Sequence, residues 1–398
     1  MLKMKLKIIF VFILLPFYAL PQTDSYSIGG YAKYLFSSVK YPQLSDRYYD
    51  HLFHARLNTK WYPSQNITGT LELRFRALAG GSVQNYPNYS EATKTYQPLM
   101  DLDVFLWNNN SSIGYLEADR LYLDYYAGDL QATLGRQRIA WGTSWVWNPT
   151  DIFNPQSVLD FDHEELPGVD ALRFQYYTGP VSKVELALAP ARDKENSSYA
   201  FLLSQNAFNY DFNFMAGLRK KRWIVGTAWS GDILEAGFRG EITYSQNPKR
   251  LTQYDSIYVP FGANAISANK NNVLSFVLSG DYTFPNSFYI HTELLYNSNY
   301  NTKNIGLFNQ EAVELGMLSA SKWSIYQEFS YDITPLMRGS NFAIINPIDK
   351  SFVFVPSISY SIITNLDLYL IGLFFNGNDL TEFGDYGNYF YTRLKWSF

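Results

Sequence analysis

Between Phe53 and Trp61 the chain alternates strictly. One phase holds Phe53, Ala55, Leu57, Thr59 and Trp61, the other His54, Arg56, Asn58 and Lys60. After the turn YPSQN the pattern resumes, with Ile67, Gly69, Leu71, Leu73, Phe75 and Ala77 set against Thr68, Thr70, Glu72, Arg74 and Arg76. Side chains alternate across a strand, so an uncharged face and a polar face lie back to back. The period of two persists to the terminus, where Phe390, Leu394, Trp396 and Phe398 oppose Tyr391, Arg393, Lys395 and Ser397. The pattern predicts an all-β chain.

Two architectures alternate in this way. A soluble sandwich turns its apolar face to a protein core, and a transmembrane barrel turns it to lipid. Here the apolar face mixes Gly, Thr and Ala with Leu, which lipid tolerates and a close-packed core does not. Trp61, Trp223 and Trp396 fall near strand ends, where an interfacial aromatic girdle belongs. Short connections (YPSQN, AGD, TGP, FPN, ITN) alternate with long ones. These features predict a transmembrane antiparallel up-and-down β-barrel. An even up-down path requires a hairpin at Asn206–Phe208 and gives about 18 strands. The count falls to 16 without the two weakest segments, Tyr199–Gln205 and Met337–Ile345. Long extracellular loops are expected near 79–114, 142–168 and 246–271, the second folding inward as a constriction.

Composition sharpens this picture. Aromatic residues make up 18% of 398 positions, yet the chain is faintly hydrophilic on average, so the two kinds of residue must be finely interleaved. The absence of cysteine excludes disulfides, zinc-thiolate sites and a lipid-anchored N-terminal Cys. Lys3, Lys5 and Lys7 precede an apolar run from Ile8 to Leu20, too short to span a bilayer but suited to a secretory signal. Residues 1–22 are therefore expected to be cleaved, leaving one barrel domain over 23–398. Removing three lysines takes the formal charge from −4 to −7, which argues against nucleic acid as a partner.

The polar phase carries candidate chemistry. Arg56, Lys60, Arg74, Arg76, Arg120, Arg136, Arg138 and Arg173 fall on consecutive strands as a basic wall, interspersed with Glu72, Asp124 and Glu185. Rings of Arg or Lys select anions in pores, whereas mutual pairing would merely keep a lumen wet. In the stretch GRQRIAWGTSWVWNP, continuing the phase of Leu130, Ala132 and Leu134 would send Arg136 and Arg138 into lipid, at about 2–4 kcal/mol each. A bulge at Gly135 would turn both arginines inward, and Ile139 and Trp141 outward; alternatively, the strand already clears the membrane at Arg136.

The loop DFDHEE offers Asp160, Asp162 and Glu164 as oxygen ligands for calcium, but it lacks the EF-hand glycine, and an unloaded acidic loop is the simpler reading. The four histidines are scattered, with His54 and His291 in the lumen phase. No serine sits in a G-x-S-x-G motif, so neither an enzyme nor a cofactor is expected.

Leu134-Gly135-Arg136-Gln137 closing a strand, followed by Trp141-Gly142 and a long loop with Asn148-Pro149 and Asn154-Pro155, resembles the alginate export family and related large Gram-negative outer-membrane channels. The likeness is local, covering Leu134–Gln175, and the many carboxylates in the lumen phase depart from that family. The resemblance implies a single-chain barrel in the outer membrane through which a polyanion or small solute crosses passively. The partners expected are outer-membrane lipid, a small or anionic solute and, through the terminal Phe398, the barrel-assembly machinery. A structural or assembly barrel with a plugged lumen is the competing class.

Overall fold

A computed structural model describes residues 25–398 except 43–45, 86–88, 93–98, 155–164, 247–271, 310–311 and 313–315. The expected signal segment 1–22 therefore lies outside the described residues, as do Asp160, Asp162 and Glu164 and nearly all of the loop near 246–271.

The first strands are β1 (Tyr26–Lys40), β2 (Arg47–Ser64), β3 (Ile67–Gly80), β4 (Asp103–Asn109), β5 (Ser112–Ala127), β6 (Leu130–Gln137) and β7 (Val169–Tyr177). They continue as β8 (Lys183–Ala189), β9 (Ser198–Ala207), β10 (Tyr210–Arg219), β11 (Arg222–Ile233), β12 (Ala236–Ser245) and β13 (Val273–Thr283). The last six are β14 (Tyr289–Asn297), β15 (Trp323–Thr334), β16 (Met337–Asn346), β17 (Ser351–Ile363), β18 (Leu366–Asn376) and β19 (Asn388–Ser397).

Every pairing is antiparallel, and β19 returns to β1 from Tyr31 opposite Ser397 to Lys40 opposite Asn388. The result is a closed barrel of 18 strands. The remaining strand, β4, is a short arm on the upper half of β5, and it lies within the stretch 79–114 expected to be loop. Closure leaves no sheet edge, the one way a sheet can sit in hydrocarbon with its backbone satisfied. Among the described residues no helix is long and apolar enough to cross a membrane.

The two segments hardest to read from sequence, β9 and β16, are both full members of the wall. The hairpin between β9 and β10 turns at Phe208–Asn209, where both residues have positive φ. At the end holding both described chain ends, connections such as 65–66, 128–129, 208–209 and 364–365 are tight. The other end carries 81–111 and 138–168.

Burial is inverted relative to a soluble protein. Leu123, Leu134, Tyr176, Phe201, Phe214, Leu370 and Phe390 are exposed on the outer face, while Arg56, Arg74, Glu185, Glu241, His291 and Glu293 are buried inside. A water-facing exterior of leucine and phenylalanine would be an aggregation surface, but against lipid it carries no such penalty.

The bulge expected at Gly135 is not there. Pairing runs without a shift from Leu134 through Arg136 on both neighbours, β5 and β7. The shift lies instead on β5, where Glu72 pairs Arg120 but Leu73 pairs Ala118, so that Asp119 is extruded. Gly135 serves a different purpose. Its φ is +125°, and a Cβ there would sit 2.2 Å from the Leu121 carbonyl oxygen, so only glycine fits where β6 passes the bulged strand.

Candidate functional site

The charged interior begins with the bulge. Extruded Asp119 accepts a hydrogen bond from Arg56 Nη2 on Oδ2 at 2.6 Å, and Arg120 Nη1 lies 3.0 Å from the same oxygen. Arg56 also pairs with Glu72. Arg74 pairs with Glu117 at 2.7 Å, Arg76 donates to the Tyr115 hydroxyl at 2.8 Å, and Arg173 meets Glu185 through two bonds of 2.6 and 2.8 Å. Arg136 pairs with Asp170, directly opposite on β7, at 2.8 Å and also donates to Met100 O and Ala118 O. Of the eight basic residues singled out from sequence, Lys60 and Arg138 are the exposed ones. Arg56, Arg74, Arg120, Arg136 and Arg173 are thus brought together as members of ion pairs, and a neutralised pair projects little field into a pore.

After Gln137 the chain enters the lumen. Ile139 and Trp141, expected on the outer surface, are instead fully buried inside. They pack with Ile152 and Phe153 against Ala171, Ala187, Ala200, Leu202, Met215 and Ile224 of the inner wall. Without the expected bulge the strand simply ends, and the apolar residues after it find partners where small alanines leave room. Trp141 Nε1 donates to Glu185 at 2.7 Å, so the indole polar end is satisfied as well.

Six residues further on, Trp147 packs in a second cluster with Val277, Leu295, Tyr326, Ile344, Val353 and Leu373, on strands β13–β18. The segment therefore crosses the lumen from the β7–β11 wall to the β13–β18 wall.

Two buried carboxylates hold it there. Glu241, on β12, accepts Thr143 N at 2.6 Å, Ser144 N at 2.9 Å, Thr150 N at 3.0 Å and Thr150 Oγ1 at 2.7 Å. Glu293, on β14, accepts Trp147 N at 2.6 Å, with Trp145 N and Val146 N at 3.3 and 3.4 Å. A loop buried in a lumen has backbone donors to satisfy, and these two side chains satisfy them. Neither was singled out from sequence. The available signal was a carboxylate in the lumen phase of each strand, Glu241 in EITYS and Glu293 in HTELLYN.

Between the clamped residues Trp145 is exposed, with the Arg239 guanidinium 5.1 Å from its ring centroid and ion-paired to Asp281. Elsewhere on the wall, His291 Nε2 lies 3.0 Å from Ser279 Oγ, and His291 Nδ1 lies 3.8 Å from Glu328. The serine hydroxyl is sealed from solvent, so no solute atom can approach it as it would a nucleophile. Among the described residues no group of three or more His, Asp or Glu is placed to hold a metal ion.

The loop also carries a proton-sensitive group. Burial pushes the Asp151 carboxyl up to about 7, against the opposing pull of the Trp141 N–H and the Arg138 guanidinium. A carboxyl raised in the folded state keeps a proton that the unfolded chain releases near 3.8. Its contribution to docking is therefore full below about pH 4 and is lost as pH climbs through 7. Limited proteolysis should cut the 138–154 segment faster at about pH 8 than at about pH 5, beyond the protease's own pH response on a denatured control. Asp151→Asn should abolish the difference; an equal difference in that variant would assign the effect to another group.

No family model matches the chain, and no curated protein matches it. Solved structures do. Acinetobacter baumannii OccAB4 aligns over 95% of this chain and 98% of its own, with a TM-score of 0.56 at 9% identity. Pseudomonas aeruginosa OccK5 (OpdH) aligns over 94% and 98%, with a TM-score of 0.56 at 8% identity. Salmonella typhi OmpF, solved in complex with daunomycin, aligns over 95% and 99%, with a TM-score of 0.50 at 10% identity. The chain has the fold of the porin-like barrels. At these identities the likeness is one of fold.

Proposed function

We propose that the protein is an outer-membrane channel of a Gram-negative bacterium, through which small solutes, anionic ones included, pass without energy input. The observation that carries this reading is the lumen itself. An apolar exterior encloses a largely polar interior, crossed by the 138–154 segment that wall carboxylates pin in place, with Trp145, Arg138 and Lys60 left in contact with water. The similar solved structures are outer-membrane channels, which supports the same reading. The long connections would face the exterior, and Phe398 would engage the assembly machinery. Kinship with the alginate export family rests on Leu134–Gln175, of whose motif Trp141, Gly142, Asn148 and Pro149 lie in the inward loop. With most wall arginines neutralised, a small solute suits the lumen better than a polyanion.

Planar-bilayer conductance of the purified protein tests the proposal: steady open-channel current is expected, and its absence would favour a plugged structural barrel. The same measurement separates the two arginines that sequence treats alike. Arg138→Gln should move the reversal potential toward cation preference, less so at high salt as screening sets in. Arg136→Gln should leave the reversal potential unchanged but lower thermal stability, because Asp170 would remain buried without its partner, a loss of about 3–5 kcal/mol. A selectivity change in the Arg136 variant alone would show that its ion pair opens to the lumen.

A further inference from the structure

The inward loop buries two of its tryptophans and bares the one between them. Trp141 and Trp147 are 3% and 4% exposed, and Trp145 is 62% exposed. This ring is not a loose tip. Its own N–H lies 3.3 Å from Glu293, Ser144 N is held by Glu241, and Trp147 N is held by Glu293. The backbone on both sides is fixed to the wall, so the indole stands at a defined place in the lumen with most of its surface in water. A rigid aromatic surface kept wet forgoes the stabilisation that burial would bring, unless something transiently covers it. Beside it lies a matched donor and acceptor, the Arg239 guanidinium over the ring and the Asp281 carboxylate paired to it.

We propose that Trp145, with the Arg239–Asp281 pair, forms a stacking subsite for a neutral, polyhydroxylated ring, that is, a sugar in transit. The apolar C–H face of such a ring lies on the indole, while its hydroxyls donate to Asp281 and accept from Arg239. The electrical balance supports this class. Arg239 is cancelled by Asp281, and Arg338, also on the inner wall, is cancelled by Asp332 at 2.9 Å. An anionic solute finds no net counter-charge here. A purely aromatic solute would stack, but would strip water from the ion pair and return no hydrogen bond. The subsite rests on the channel reading above, and the experiment separates the two.

Single-channel current through the purified full-length protein would be titrated with maltotriose, with sorbitol as an open-chain polyol of similar chemistry. Millimolar maltotriose should interrupt the native current, and sorbitol at equal hydroxyl concentration should not. Trp145→Ala should raise the half-blocking concentration at least tenfold, and Trp145→Phe should raise it less. An open native channel indifferent to maltotriose, one blocked by phenol but not by maltotriose, or an alanine variant blocked like the native protein would overturn the subsite while leaving the channel intact. A protein that passes no current would overturn the channel reading instead. The subsite would then be judged by tryptophan fluorescence in detergent: a maltotriose-dependent change lost in Trp145→Phe supports it, and no change in the native protein refutes it. Heat-modifiable mobility confirms that each variant is a closed barrel.

Discussion

Replacing Glu241 with glutamine is expected to raise single-channel conductance severalfold and make it noisy, while the barrel stays assembled. The carboxylate accepts three backbone N–H groups and the Thr150 hydroxyl from the inward loop, and it is wholly sealed from water. Hydrogen bonds to a charged acceptor contribute about 1.5–3 kcal/mol each, and a buried donor left without one incurs a similar penalty. Glutamine keeps the volume but presents an amide NH2 to N–H donors, so it cannot replace both oxygens. The β12 ladder uses backbone groups only, which is why the wall should survive and the loop should not. Glu293→Gln should act in the same direction through Trp147, and the double variant should expose the 138–154 segment to protease. Unchanged conductance together with unchanged cleavage would mean that the apolar clusters around Trp141 and Trp147 hold the loop without the carboxylates.

The second large effect is at the seam. A chain lacking Trp396–Phe398 should fail to form a heat-resistant barrel and should be degraded before insertion. Phe398 exchanges two backbone hydrogen bonds with Gly30, both 2.9 Å, and Trp396 faces Ala32 on β1 and Leu366 on β18. Without them the lower end of β1 becomes an open edge at membrane depth, where each unsatisfied backbone group costs several kcal/mol. Phe398→Ala keeps the backbone pairing and removes the ring. Normal closure of that variant with poor insertion in cells would assign the ring to recognition by the assembly machinery. Normal insertion of the truncated chain would remove both roles.

Much of the fold was legible because barrel strands declare themselves locally. Leu71, Leu73 and Phe75 against Glu72 and Arg74 show the inner and outer faces within five residues, since the period of two is a property of one extended chain. The parity of the up-down path added the weak hairpin, expected at Asn206–Phe208 and found at Phe208–Asn209. An inward course was expected for 142–168, and its described part, through Asn154, does run inward.

The site was less legible, and each error has a non-local cause. Gly135 is the residue a bulge would choose by local preference, yet the bulge fell at Asp119 because the pairing of β3 with β5 sets it. Glu72 and Glu185, visible in the same wall, do pair with Arg56 and Arg173, but Asp170 and Asp119 were not visible as partners: Asp170 lies 34 residues from Arg136, and Asp119 lies 63 from Arg56. Glu241 and Glu293 sit 98 and 146 residues from the loop donors they hold, and nothing in EITYS or HTELLYN names an acceptor for a distant backbone.

The sequence by itself therefore determined the strands, their two faces and an exterior fit for lipid, because each depends on residues adjacent along one strand. Closure of the wall decided the rest: which charges cancel, where the inward loop is pinned, and which tryptophan stays in water. Those outcomes depend on what lies across the lumen, and only a closed barrel brings opposite walls within hydrogen-bond distance of one loop.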